Sequence, residues 1–363
     1  MTQTAIPYLF MRGGTSRGPY MNRADLPEDL ETLAKVLIAI VGSGHRLNID
    51  GVGGGAAVTT KVAMLSKSKD PWADVDYFFA QVSVEDQLVD FKPTCGNILS
   101  GVGPAAIEMG LVAAEEGETV VNIHAVNTGA KVGAVVQTPN GMVRYDGTTQ
   151  IDGVPGRAAP VALQFMETVG SATGALLPTG NLIDRIDGIQ VTCMDVAMPM
   201  VIARADSFGL TGYESASDLD ENTAFFARME IVRRKAGALM GLGDLAASVI
   251  PKFAIIAPAT GSGTIAARYF MPWSTHPTMA VTGAQCLASC VLAPGTVADG
   301  IGHLPRETPA KVVLEHASGT IDVIVDYDMT DAGFIVKSAG LVRTARKIAA
   351  GKVFIPCFVW KGN

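Results

Sequence analysis

The chain has little charge, few aromatic residues and no long apolar run. Only 17% of its 363 residues are Asp, Glu, Lys or Arg, and 6% are Phe, Trp or Tyr. The net charge is −7, and no basic stripe is present to neutralise phosphates, which argues against a general nucleic-acid binder. The nearest thing to a charge run, Arg233-Arg234-Lys235, reads as a solvated helix face. No stretch is long and apolar enough to span a bilayer, and MTQTAIPYLFMRGG lacks the basic region and apolar core of a signal peptide. A cytoplasmic location without membrane attachment is therefore expected. The five cysteines, Cys95, Cys193, Cys286, Cys290 and Cys357, are an odd number without framework spacing, so reduced thiols are expected. No metal site is expected either. Cys286 and Cys290 could share a helix face, but no nearby histidine or second cysteine pair completes a ligand set.

What the chain has instead is apolar residues (48%) and forty glycines, enough for two well-filled domains with many tight turns. Alternating patterns predict short strands at Pro7–Met11, Val62–Leu65, Val75–Val84, Thr119–Ala125, Ala130–Thr138 and Met142–Tyr145, with Asn140-Gly141 as a hairpin turn. The second half repeats the style at Ile189–Ala197, Met200–Ala203, Phe253–Ala257, Thr264–Met271, Lys311–His316 and Thr320–Tyr327. Two helices, Asn97–Met109 and Thr278–Cys290, are apolar nearly all round and should be buried. A third, Leu219–Met240, is amphipathic, with Phe225, Phe226, Met229, Val232 and Leu239 inward and Glu221, Arg228, Glu230 and Arg233 toward water. A further helix covers Asp29–Val41. The buried helices follow FKPTC and WSTHPT, which suggests a diverged repeat: two curved sheets, each wrapped round one helix, with both helix starts facing a cleft suited to a small polyanion. The domain boundary is expected near Leu177-Pro178-Thr179-Gly180-Asn181.

Three places carry candidate chemistry. Cys95-Gly96-Asn97 opens the first buried helix, where free N–H groups favour an anion. Cys95 reads equally well as an acid/base residue or as an inert buried thiol. The loop Met11-Arg12-Gly13-Gly14-Thr15-Ser16-Arg17-Gly18 offers two hydroxyls and two guanidinium groups, either as a carboxylate-binding loop or as an ordinary turn. It is neither a Walker loop nor a Rossmann fingerprint. Gly51-Val52-Gly53-Gly54-Gly55 precedes Lys61, which by itself reads as a solvated edge residue. A lysine held away from water is, in general, a usable base. His276 stands where Cys95 does in the other half, either binding substrate or satisfying a helix start. No G-x-S-x-G elbow supports a serine hydrolase, and a cysteine hydrolase lacks a local histidine partner.

MRGGTSRG, IDGVGGG with TTKVAML, DVDYFFAQV, PTCGNILSGVG, VNTG, IDGVPG, LLPTGN, GLGD, IPK and RTARKIAAG, in this order along the chain, resemble the PrpF-type isomerases. Within that family the sequence resembles the 4-oxalomesaconate tautomerase branch. The resemblance implies an α+β, diaminopimelate epimerase-like fold of two pseudo-repeated domains, each a mostly antiparallel barrel-like sheet around a central helix. The implied domains are residues 1–180 and 181–344, with 345–363 packing back on the first and the site between the two. It also implies a cofactor-independent 1,3-proton shift in an unsaturated tricarboxylate, with Lys61 as base and Cys95 as acid. A two-thiol racemase is not implied, because His276-Pro277-Thr278 replaces a second cysteine. Gly14, Thr15, Ser16, Arg17, Gly96, Asn97, His276 and Thr278 are then the expected substrate contacts. The expected partner is the small-molecule tricarboxylate, most simply 4-oxalomesaconate, with 2-methylaconitate and aconitate as alternatives. A homodimer is allowed for; nucleic acid and membrane are not expected as partners. An accessory protein that only holds tricarboxylates is the competing class, and it would need neither a thiol nor an amine base.

Overall fold

In the computed structural model, residues 2–243, 245, 248–271, 273–331 and 333–362 are described. Asp244 of the GLGD motif and the terminal residues Met1 and Asn363 lie outside them. The chain divides into two compact units, Met1–Phe165 with Val342–Asn363, and Met166–Leu341.

The first unit contains β1 (Gln3–Gly13), β2 (Ser16–Asn22), α1 (Leu30–Val41), β3 (Lys61–Lys67), β4 (Val75–Val82), β5 (Val89–Asp90), α2 (Gly96–Leu99), α3 (Val102–Glu108), β6 (Gly117–Ala125), β7 (Ala130–Thr138) and β8 (Pro160–Met166). Strand alternation gives its sheet two apolar faces. Met11, Tyr20, Ala63, Leu65, Tyr77, Phe79, Val121 and Ala134 pack with Ile98, Val102 and Ala105 of α2 and α3. Met21, Val62, Met64, Ala80 and Val82 pack on the opposite face against Leu33, Val36, Leu37 and Ile40 of α1. Central strand β3 is thus buried from both sides, as its continuous run Val62–Leu65 requires.

The second unit contains β9 (Asp184–Ile186), β10 (Ile189–Asp195), β11 (Pro199–Arg204), α4 (Ala216–Glu221), α5 (Thr223–Leu239), β12 (Lys252–Ala257), β13 (Ile265–Phe270), α6 (Val281–Leu292), β14 (Ala310–His316) and β15 (Gly319–Thr330). Strand β16 (Gly333–Pro356) pairs with β15 up to Leu341 and with β1 from Ala345 onward. The diverged repeat now has a topological form. From β1, successive pairings β1–β2–β3–β4–β6–β7–β8 run antiparallel, parallel, antiparallel, parallel, antiparallel, antiparallel. The series β10–β11–β12–β13–β14–β15–β16 has the same order. In each unit one buried helical segment follows the fourth strand of its series: α2 with α3 after β4, and α6 after β13. The α+β build of sheet around helix that the resemblance implies is present in each unit.

Several local expectations change. The Asn97–Met109 helix begins at Gly96, with Cys95 as N-cap, and breaks at Ser100-Gly101. Pro104 lacks the N–H that would reach back to Ser100, so the turn there tightens instead. The helix expected from Thr278 begins at Val281. The Leu219–Met240 helix is split, because the Asn222 side chain accepts from Phe225 N and caps a second start. Met142–Tyr145 is not a strand; Pro139–Gly141 forms a 3-10 turn and β7 pairs with β8 instead. Arg233 does not face water. It is fully buried, donating to both Glu230 oxygens (2.6 and 2.8 Å) and to the carbonyls of Ser248 and Pro251. Leu239, expected inward, is exposed. No helix among the described residues is long and apolar enough to cross a membrane.

Candidate active site

Strand alternation aims Lys61. Val62 and Met64 are taken by α1, so Lys61, like Ala63 and Leu65, projects toward α2. There its Nζ lies 3.1 Å from Sγ of Cys95, a residue 9% exposed. Phe79, on the same face of neighbouring β4, places its ring 5.9 Å below the Lys61 Nζ. Lys61 is therefore not a solvated edge residue: β3 pairs with β4 from Lys61 and with β2 from Ala63, and Gly18 of β2 lies against the Lys61 carbonyl.

Cys95 is fixed from behind. Its carbonyl accepts from Leu99 N (2.8 Å), and Tyr77 Oη lies 3.4 Å away. Tyr20 Oη donates to Ile98 O at 2.6 Å. Burial, and then the neighbouring Cys95, push both phenols well above their usual range, so they stay protonated as neutral walls. With only four residues in α2, aligned peptide dipoles add little beyond the first free N–H groups, less than the single long helix expected from the sequence would give.

The β1–β2 hairpin closes one side. Gly13, Gly14 and Gly18 are there for space. A Cβ on Gly13 would lie 2.6 Å from Asn97 O, one on Gly14 would strike the Asn97 side chain, and one on Gly18 would strike Lys61 O. Gly14 also has φ +51. Thr15 N points at Asn97 Oδ1, 3.4 Å away. Ser16 pairs with Gly13 and shares its inward face, and its Oγ is buried with no hydrogen-bond partner among the described residues. Gly14, Thr15, Ser16, Lys61, Cys95, Gly96 and Asn97 thus come together. Arg17 does not: it sits on the other face of β2, over the Phe10 ring and against Gly54. The glycine-rich 51–55 loop folds on itself around buried Asn48, whose amide donates to Gly42 O and Val84 O and accepts from Gly55 N.

In the second unit, His276 and Thr278 stand in the loop ahead of α6. Thr278 N donates to His276 Nδ1 (3.1 Å), and the His276 ring meets Tyr269 edge-on at 5.9 Å. Burial lowers the His276 pKa from its ordinary value. The repeat reveals a residue that local spacing missed. Ala254 pairs with Tyr269 as Ala63 pairs with Phe79, which puts Lys252 in the place of Lys61. Burial first and Arg233 second hold Lys252 below its ordinary pKa. Among the described residues no group of three or more His, Cys, Asp or Glu side chains gathers as metal ligands would.

Comparison with known proteins agrees along the whole chain. The family described as PrpF protein matches residues 3–356. The (4E)-oxalomesaconate Delta-isomerase of Novosphingobium sp. (strain KA1) is 45% identical, covering 97% of this chain and 98% of that protein. The 4-oxalomesaconate tautomerase of Pseudomonas putida is 42% identical, covering 100% and 99%. The crystal structure of a methylitaconate-delta-isomerase superposes with a TM-score of 0.90 at 34% identity, covering 99% of this chain and 97% of that one. With a lysine and a thiol in contact at the hairpin and this likeness from end to end, the chain belongs to the PrpF family and is an isomerase.

Proposed function

We propose that the protein moves a proton across an allylic system in an unsaturated tricarboxylate, 4-oxalomesaconate being the favoured substrate. The observation that carries this reading is the 3.1 Å contact between Lys61 Nζ and Cys95 Sγ. Lys61 as amine removes a proton from the carbon next to the double bond. The electron pair delocalises into a dienolate, and the Cys95 thiol returns a proton to the far carbon, leaving a thiolate beside an ammonium. Their direct contact gives the captured proton a path from nitrogen to sulfur, which resets both groups without an outside acid. Ser16 Oγ–H, buried and unpartnered, and the first N–H groups of α2 are available to the developing negative charge. A protein that only held tricarboxylates would have no use for this lysine–thiol contact.

The substrate choice rests on the names of the two oxalomesaconate relatives, and the methylitaconate isomerase is the alternative. Acid/base steps of this kind contribute about 10²–10⁴-fold each. Lys61→Met and Cys95→Ser should therefore fold normally and lose most activity. The test is proton NMR in deuterated water with 4-oxalomesaconate, 2-methylaconitate, cis-aconitate and methylitaconate in turn. Wild-type turnover in either variant removes that residue from the mechanism; no deuterium uptake from any of the three tricarboxylates, whatever the dicarboxylate methylitaconate does, removes the assignment to tricarboxylates.

A further inference from the structure

A cationic cavity lies in the first unit, where β1 and the last part of β16 meet the segment 145–158. Its volume is about 270 Å³, and Arg12, Arg157, Arg346, Thr344, Tyr145 and Asp146 line it, whereas Lys61 and Cys95 do not. Arg12 and Arg346 are direct cross-strand partners, an arrangement in which like charges repel. Arg12 is held in place by one nitrogen only: Nη1 donates to Gly14 O (2.8 Å), Thr344 O (3.0 Å) and Thr344 Oγ1 (3.0 Å). Its Nε and Nη2 find no acceptor among the described residues. Among the described residues Arg157 reaches only Thr148 O, at 3.5 Å. The single lining carboxylate, Asp146, is exposed and lies 3.4 Å from Arg144. Three arginines and one exposed carboxylate therefore line this cavity, in a chain whose net charge is −7. Burial and then Arg346 hold Arg12 below its ordinary pKa.

We propose that this cavity binds a small oxyanion of two or more negative charges, a phosphate or a compact polycarboxylate, independently of the Lys61–Cys95 pair. The chemistry is fork-to-fork: planar guanidinium groups with unused N–H donors match carboxylate and phosphate oxygens in pairs. A rigid Arg12 supplies the fixed floor, and exposed Arg157 and Arg346 close over the ligand.

The test is calorimetric titration of the full chain with inorganic phosphate and, separately, with tricarballylate, a tricarboxylate without an allylic proton. Wild type, Arg157→Gln, Arg346→Gln and Lys61→Met are compared; both arginines are exposed, so their variants should fold. The proposal expects at least one anion to bind wild type and Lys61→Met alike. Each arginine variant should weaken it about tenfold or more, the size of one lost charge-assisted hydrogen bond. Phosphate binding alone identifies the ligand class as phosphate, and tricarballylate alone identifies it as carboxylate. Absence of binding by both anions, unchanged affinity in both arginine variants, or loss confined to Lys61→Met would each overturn it.

Discussion

Gly18→Ala tests whether the position of Lys61 is set by the close approach of β2 to β3. Gly18 has no positive φ, so alanine meets no backbone penalty there; the whole effect is steric. The added Cβ would overlap Lys61 O, a backbone atom that cannot rotate away as a side chain would. Restoring van der Waals contact requires the two strands to part by on the order of 1 Å, and a misplacement of that size at a catalytic group costs roughly 10²-fold. Overpacking of this kind also costs about 1–3 kcal/mol of stability. For a unit of this size that lowers Tm by about 2–4 °C per kcal/mol, so the variant should remain folded at room temperature. Gly133→Ala is the control: it too lies in a strand at negative φ, but its nearest neighbour, Gln164 Oε1, would sit at an ordinary 3.6 Å. The assay is kcat/KM from proton NMR, with Tm by circular dichroism on the same samples. A Gly18→Ala protein with the kcat/KM of Gly133→Ala would refute the claim that this contact positions Lys61.

Ser16→Ala should separate stability from activity. Removing a buried hydroxyl without a partner leaves stability within about 1 kcal/mol of wild type, whereas loss of a donor to developing charge should lower kcat by about tenfold or more; unchanged kcat removes Ser16 from the site. Arg233→Met should cost about 3 kcal/mol in urea denaturation, at the low end for a broken buried pair because Glu230 keeps 28% of its surface in water; a loss below about 1 kcal/mol would contradict the pairing. Burial raises the Cys193 and Cys290 thiols to about 12 and pushes Cys286 well up, so iodoacetamide at pH 8 should spare all three until the chain is unfolded, as read by peptide mass mapping. His276 has a folded pKa below its unfolded one, so the unfolded state binds the proton more tightly. Its stabilising contribution is present above the unfolded value and is lost as pH falls through the folded value. His276→Gln should accordingly show a smaller fall in Tm than wild type between pH 7 and pH 5, and an equal fall would show that the imidazole is not involved.

Much of the fold is legible because strands buried on one or both faces leave a period or an apolar run. Ala130–Thr138 is recovered to the residue, and β10 to β15 are recovered within a few residues at their ends. Two of the missed strands lack that imprint. β2 reads SRGPYMN, with a glycine and a proline that look like a turn, and its strand character comes from pairing with β1 and β3. The 24-residue β16 is exposed along much of RKIAAGK and shows no alternation there, so its strand character comes from pairing, with β1 and β15 among its partners. Arg233 was misread for a related reason. Helical periodicity marks a cation as outward unless a partner is known, and the carbonyls that accept from it come from the Ser248–Pro251 segment, which no helical wheel contains.

The site shows the same limit and one way past it. Cys95 could be singled out locally, because an N-cap leaves a mark in Gly-Asn and in the apolar run that follows. Lys61 could not be paired with it from spacing, since the two are joined by strand register and not by sequence. Even so, the decisive information was in the chain. Val62–Leu65 is four apolar residues in a row, a strand covered on both faces, and such a strand has neighbours on both edges. A lysine at its first position is then confined to one of two interiors. Val62 and Met64 fill the α1 side, which leaves Lys61 with Ala63 and Leu65 on the side of α2. The same reasoning reaches Lys252, which precedes Phe253-Ala254-Ile255-Ile256, another apolar run in which Phe253 and Ile255 pack with α5. Reading which face each neighbour occupies, before asking what a lysine does, turns a bland edge residue into a testable base.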